Sequence, residues 1–215
     1  MKLTRAILYA LLVPLMLFFS YLMLDITLPF ASFKRDVGFL MSKRHVWHHG
    51  YWRIAFYIHI FCSLPLIMAG TLQVIPAIRK RYLKLHRGLG RVYVYVILFL
   101  AAPSGFVLAI HANGGIWAQT SFTLLSVSWW VFTFLGWRAM KRGNESGHKA
   151  QMFRSYALTL SAIALRSYVF VIPAFWGING KEMYVLVAWL SWVPNLLLVE
   201  AVLFFARRKR LRSGD

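Results

Sequence analysis

The chemistry this 215-residue chain can offer lies in histidines and arginines set inside or beside long apolar runs. His59 and His111 lie toward one end of the runs that carry them, and His86 and His148 toward the other. Two histidines at each face of a bilayer, drawn from different helices, is the arrangement a transmembrane b-type haem needs, with neutral imidazoles ligating iron from opposite sides. Arg87, Arg91, Lys149 and Arg154 on one side, and Arg166 and Arg53 on the other, are placed to neutralise propionates. His86 and His111 return to nearly one face of a straight helix at ~100° per residue, but stand ~37 Å apart along it, so both cannot be deep. His59 lies well inside its run, too deep for a merely solvated role.

Other groups invite other chemistry. His45, His48 and His49 would share one face of a helix at i, i+3 and i+4, and three imidazoles can bind zinc or copper. A plain interfacial segment is the alternative there. Arg154 and Glu200 fall at similar depth on neighbouring antiparallel runs, and an ion pair between them is expected. Arg166 has no acid in the second to fifth runs, which leaves Asp25 as its best protein partner or a bound anionic group as the alternative; ionisable groups inside a span usually mark a pathway or a paired site. Cys62, the one cysteine, excludes an intramolecular disulfide and any cysteine-based metal cluster. No GxSxG, Walker or paired-carboxylate pattern occurs, so hydrolase and nucleotide chemistry have no support.

The elements that must position these groups follow from composition. The chain is 60% hydrophobic and only 14% charged, far from the ~25% charged of a soluble domain. Such a chain cannot bury its apolar surface in one small core, and a bilayer is the solvent that accepts it. Uncharged runs long enough for a ~30 Å hydrocarbon core predict an all-α bundle of six spans, at about 6–24, 52–75, 91–111, 118–137, 150–173 and 183–206, forming one transmembrane domain over 1–215. Prolines 65, 103 and 194 fall near mid-span, with an interruption expected at Pro103-Ser104-Gly105, and the His111-Ala-Asn-Gly-Gly stretch ends the third span. Thr120, Ser121, Thr123, Ser126, Ser128 and Thr133 suit the fourth span to helix packing in lipid.

The formal charge of +19 is concentrated between spans, at Arg79 to Arg91, in the 138–149 loop and in the 207–212 tail. Basic loops mark the cytoplasmic side and meet anionic headgroups. They place both termini inside a bacterial inner membrane, and their position excludes nucleic acid as the partner. Four basic residues in the first outer loop, Lys34, Arg35, Lys43 and Arg44, run against this trend. Trp47, Tyr51, Trp52, Trp117 and Trp176 fall at outer ends, as an aromatic belt does.

The stretches GTLQVIPAIRKRYLKLHRGLGRVYV, APSGF with HANGG, HKAQMFRSYALTLSAIALRSY and AWLSWVPNLLLVE resemble an uncharacterised bacterial family of multi-pass membrane proteins, the domain-of-unknown-function 2306 family. That resemblance implies membrane location without an assigned activity. LHRGLGR and the six-span layout are also similar, more loosely, to cytochrome b561 and ferric-reductase-like carriers, where paired histidines on four central helices hold two haems. This chain has no histidine in its fourth span, and His86 and His111 share a helix, which leaves one haem or none. Three readings stay open: a haem b electron carrier working with a redox partner protein, a small-anion transporter or binding protein without a redox centre, and a structural partner in the membrane.

Overall fold

The structure is a computed structural model that describes residues 2–213, with side chains described for residues 11 and 13–208. The side chains of Lys2 and Arg5, whose position before the first run also points to an inside N-terminus, and of the basic tail beyond Arg208 lie outside the described ones. Among the described residues there is no strand. Six long helices run in order: α1 (Lys2–Thr27), α2 (Gly50–Val74), α3 (Leu83–Ala109), α4 (Ile116–Lys141), α5 (Glu145–Thr159 continuing as Ser161–Trp176) and α6 (Gly180–Leu190 continuing as Val193–Ser213). The chain divides between Leu108 and Ala109 into two compact units.

Five of the six regions are long and apolar enough to cross a membrane: Val13–Ser32, Gly50–Val74, Leu83–Ala109, Glu145–Trp176 and Gly180–Arg208. The expected count of six is therefore not met by length and hydropathy. The helix outside that set is α4. It has 26 residues and is long enough, but its hydroxyls, indoles and Gln119 dilute its apolar content.

In the first unit, α1 packs on α2 and α2 on α3. The α1–α2 connection is a folded segment, with two 3-10 turns (Leu28–Ser32 and Gly38–Lys43) over a core of Phe30, Leu40, Val46, Trp52 and Phe56. Trp52, expected in an interfacial belt, is instead 1% exposed in this core, stacked on Phe56 one turn along α2. Tyr51, Trp117 and Trp176 do remain exposed.

Helix α3 stays helical through Pro103-Ser104-Gly105, against the expected interruption there. The irregularity sits just upstream, where Ile97–Ala101 is widened into a π-turn. Proline has no N–H and its ring crowds the carbonyl four residues before it, so the preceding turn opens. Ser104 Oγ donates to the carbonyl oxygens of Leu100 and Ala101, at the end of the widened turn.

In the second unit, α4 and α5 form a tight antiparallel hairpin. Gly143, at φ +72°, turns the chain after α4, and Asn144 caps α5 by accepting from the Gly147 amide at 2.8 Å. Three matched steps then join the two helices. Trp129 Nε1 donates to Thr159 Oγ1 at 3.1 Å, Thr133 Oγ1 bonds Ser155 Oγ at 2.7 Å, and Gly136 makes room for Met152. Ser121 Oγ donates to the Ala188 carbonyl and receives Trp192 Nε1, both at 2.9 Å, which ties α4 to α6. The hydroxyls that lower the hydropathy of α4 are those that hold its unit together.

Candidate functional site

In the first unit, His59 stands about 14 Å along α2 from its start at Gly50. Its Nδ1 lies 2.9 Å from the carbonyl oxygen of Ala101, at the end of the π-turn in α3. A carbonyl only accepts, so Nδ1 carries the proton and, in the neutral ring, Nε2 carries the lone pair. His86 opens α3, where its main-chain carbonyl accepts from Gln73 Nε2 at 2.9 Å. A Cβ at Gly90 would meet Gln73 Oε1 at 3.3 Å, so the glycine in the LHRGLGR stretch is where Gln73 closes the α2–α3 turn. Arg87 and Arg91 are exposed there, and Arg91 Nε donates to the Arg87 carbonyl at 3.3 Å.

In the second unit, His148 in the first turn of α5 holds its Nδ1 at 2.9 Å from the Gly136 carbonyl of α4, which fixes its neutral tautomer as at His59. His111 lies in the turn before α4. Each haem pair expected from depth, His59 with His111 and His86 with His148, takes one histidine from each unit. In the first unit His59 stands within α2 and His86 near the start of α3; in the second His111 precedes α4 and His148 follows it.

The histidine triplet does not share a helical face. Arg44 to His48 form turns, and α2 begins only at Gly50. The rings of His48 and His49 touch, with centroids 3.8 Å apart. Among the described residues no three His, Cys, Asp or Glu side chains converge into a group that could hold a metal ion, the triplet His45, His48 and His49 included.

The arginines divide sharply. Arg154 binds Glu200 through two nitrogens, Nε to Oε1 at 2.5 Å and Nη2 to Oε2 at 2.7 Å, and its guanidinium lies 5.8 Å from the Phe132 ring centre. The ion pair expected between neighbouring spans forms, and Arg154 has no charge to spare for a propionate. Lys149 is likewise engaged, with Glu145 at 2.9 Å.

Arg166 sits within α5, about 15 Å before its end at Trp176. The titratable group that it interacts with is the phenol of Tyr184, from α6, which is neutral at ordinary pH. Tyr184 is held from three sides. The Asn113 main chain hydrogen-bonds its hydroxyl, its ring meets the Phe122 ring edge-on at 6.0 Å, and it packs over Gly114, whose added Cβ would lie 3.1 Å from Tyr184 Cδ1. Gly114, at φ +88°, supplies both the left-handed turn and the close approach. Of the described acids in this unit, Glu145 and Glu200 are engaged as above and Glu182 is exposed in the first turn of α6. Tyr184 is the member of this cluster that sequence reading misses. Its place near the start of α6 looks like one more interfacial aromatic.

The family described as "Predicted membrane protein (DUF2306)" matches residues 56–203, more than half of the chain. The chain belongs to this family and is a multi-pass membrane protein. It is also similar to "Ava biosynthesis cluster protein G" of Aspergillus versicolor, 44% identical over 54 residues, which cover 25% of this chain and 16% of that protein. The chain thus spans only a small part of the length of that curated relative. No solved structure matches the chain.

Proposed function

We propose that this member of the family is a six-span membrane protein that binds a small anionic ligand at Arg166, as a carrier or receptor without a redox centre. The observation behind it is a guanidinium inside an apolar helix with no carboxylate of its own unit against it. Arginine keeps its charge at any physiological pH, so it cannot escape burial by neutralising itself. A ligand anion would supply the missing charge. Tyr184, whose oxygen is already engaged by the Asn113 main chain, retains its O–H to donate to the same anion.

In this reading α4 is the sixth span. Its polar side chains are engaged inside the second unit, as a helix in lipid requires. The basic α2–α3 and α4–α5 connections lie on the cytoplasmic side of a bacterial inner membrane against anionic headgroups, with both termini on that side.

The test uses purified protein in detergent and a probe panel of chloride, inorganic phosphate, acetate and succinate. At least one probe should raise the unfolding temperature of the wild type and leave Arg166→Gln unmoved, with a weaker response in Arg166→Lys. An unchanged response in Arg166→Gln overturns the reading.

A second reading, haem-linked electron transfer, draws on the ring geometry of His59 and His148. Metal-ligating histidines commonly donate the other ring N–H to a carbonyl, as both do here. A haem bound to such nitrogens would supply one-electron chemistry. A reduced-minus-oxidised spectrum of protein from haem-supplemented cells decides it. Sharp α and β bands that vanish in His59→Ala and His148→Ala support it, and a colourless protein ends it.

A further inference from the structure

The α1–α2 connection carries a cationic cavity with no part in the site at Arg166. It has a volume of about 250 Å³ and is lined by Arg35, Asp36, Leu40, Arg44 and Trp47. Its floor is rigid, because Leu40 belongs to the packed core of this connection and Trp47 packs against that core. Asp36 stands between two guanidiniums, with Arg44 Nη2 at 3.4 Å and Arg35 Nε at 3.7 Å. One carboxylate against two arginines leaves a net positive charge. Each guanidinium sets a single nitrogen against Asp36 and both side chains are exposed, so donors remain for another acceptor.

The surroundings say where that acceptor comes from. Phe33, Phe39 and Met41 of the same connection are 64%, 42% and 56% exposed. The connection joins the ends of two membrane-crossing helices, Val13–Ser32 and Gly50–Val74. Exposed phenyl and thioether groups beside arginines at a helix end are the composition of a segment seated at the headgroup level. The cavity is smaller than the ~300 Å³ floor of drug-sized pockets, which suits a headgroup better than a large solute. Planar, bidentate guanidinium forks are matched to phosphate oxygens.

We propose that Arg35 and Arg44 form a binding site for the phosphate of an anionic phospholipid from the leaflet in which this connection sits. The site gives the basic residues of this loop, anomalous as orientation signals, a purpose of their own.

The experiment reconstitutes the full chain in nanodiscs of phosphatidylcholine doped with phosphatidylglycerol and counts retained lipid by native mass spectrometry. The R35Q/R44Q variant should lose one retained phosphatidylglycerol, with affinity down roughly tenfold or more for two charge-assisted contacts. The R79Q/R81Q variant, with the same change in charge elsewhere, should keep it. Equal loss in both variants would mean diffuse attraction and overturn the site. Displacement of the lipid by millimolar inorganic phosphate would assign the cavity to the free ion and overturn the lipid proposal. Unfolding temperatures guard against a folding defect. Should R35Q/R44Q melt early, Arg44→Lys takes its place, since it keeps the charge and loses the fork; full retention of lipid by Arg44→Lys would also count against the site.

Discussion

Arg154 and Arg166 stand about 18 Å apart along α5 at the helical rise, and the chain treats them in opposite ways. Around Arg154 everything is closed: Glu200 takes two of its nitrogens, Phe132 lies beside it, and the Thr133–Ser155 bond ties α4 to α5 next to it. Around Arg166 the unit supplies a phenol rather than a carboxylate. Arg154 is matched by a carboxylate of its own unit, whereas under the proposed reading a ligand anion would supply the carboxylate that the described residues of the unit do not set against Arg166. Lys43 shows a third outcome. It is 2% exposed over the Phe39 ring, and burial pushes its ammonium down to about 8. Lysine can shed its proton when desolvated, whereas arginine cannot.

The largest effect that would break this contrast is at the closed end. Glu200→Gln strands Arg154 and should cost about 2–3 kcal/mol, below the range for fully buried pairs because Glu200 is 45% exposed. Adding Arg154→Gln should recover most of that loss, as read from thermal unfolding in detergent.

Next comes Lys43. The folded state holds its proton less tightly than the unfolded state, whose value is near 10.5. The unfolded chain therefore binds more protons between pH 8 and 10.5, and stability should rise with pH across that window, by roughly 1–3 kcal/mol in all. Lys43→Met should flatten the slope, and a slope that persists in Lys43→Met would assign it to other groups.

Thr133→Val removes the partner of Ser155 Oγ and should cost about 1–2 kcal/mol in the same unfolding assay. The smallest effect belongs to the open end. In the absence of ligand, Arg166→Gln should change stability by less than about 1 kcal/mol, or raise it, because it removes an uncompensated charge. A loss as large as that of Glu200→Gln would show that Arg166 is structural and erase the distinction.

What was legible in the sequence were features that side-chain identity alone determines. The Arg154–Glu200 pair follows from two charges at matched depth on antiparallel neighbours, and the HANGG turn from consecutive glycines at a helix end. The acceptor of His59 was not legible, because it is a main-chain carbonyl at a π-turn and every residue type has a carbonyl. Trp52 read as a belt residue because nothing local announces that the preceding loop folds back to cover it. The histidine triplet does not share a face for a related reason: spacing of i, i+3 and i+4 means one face only where a helix exists, and the helix starts at Gly50, after all three. In α4, the hydroxyls recognised as packing groups also lowered its hydropathy below that of the other membrane-crossing regions.

That property of α4 bears on how the protein is made. A segment whose Ser121, Trp129 and Thr133 side chains bond groups on α5 and α6 would be a poorer substrate for insertion on its own than with those helices beside it. If α4 is the sixth span, as proposed, the short capped turn at Gly143 and Asn144 would let it enter the bilayer beside α5 as a hairpin, and the order of synthesis, α4 and then immediately its partner, would become part of what admits so polar a helix.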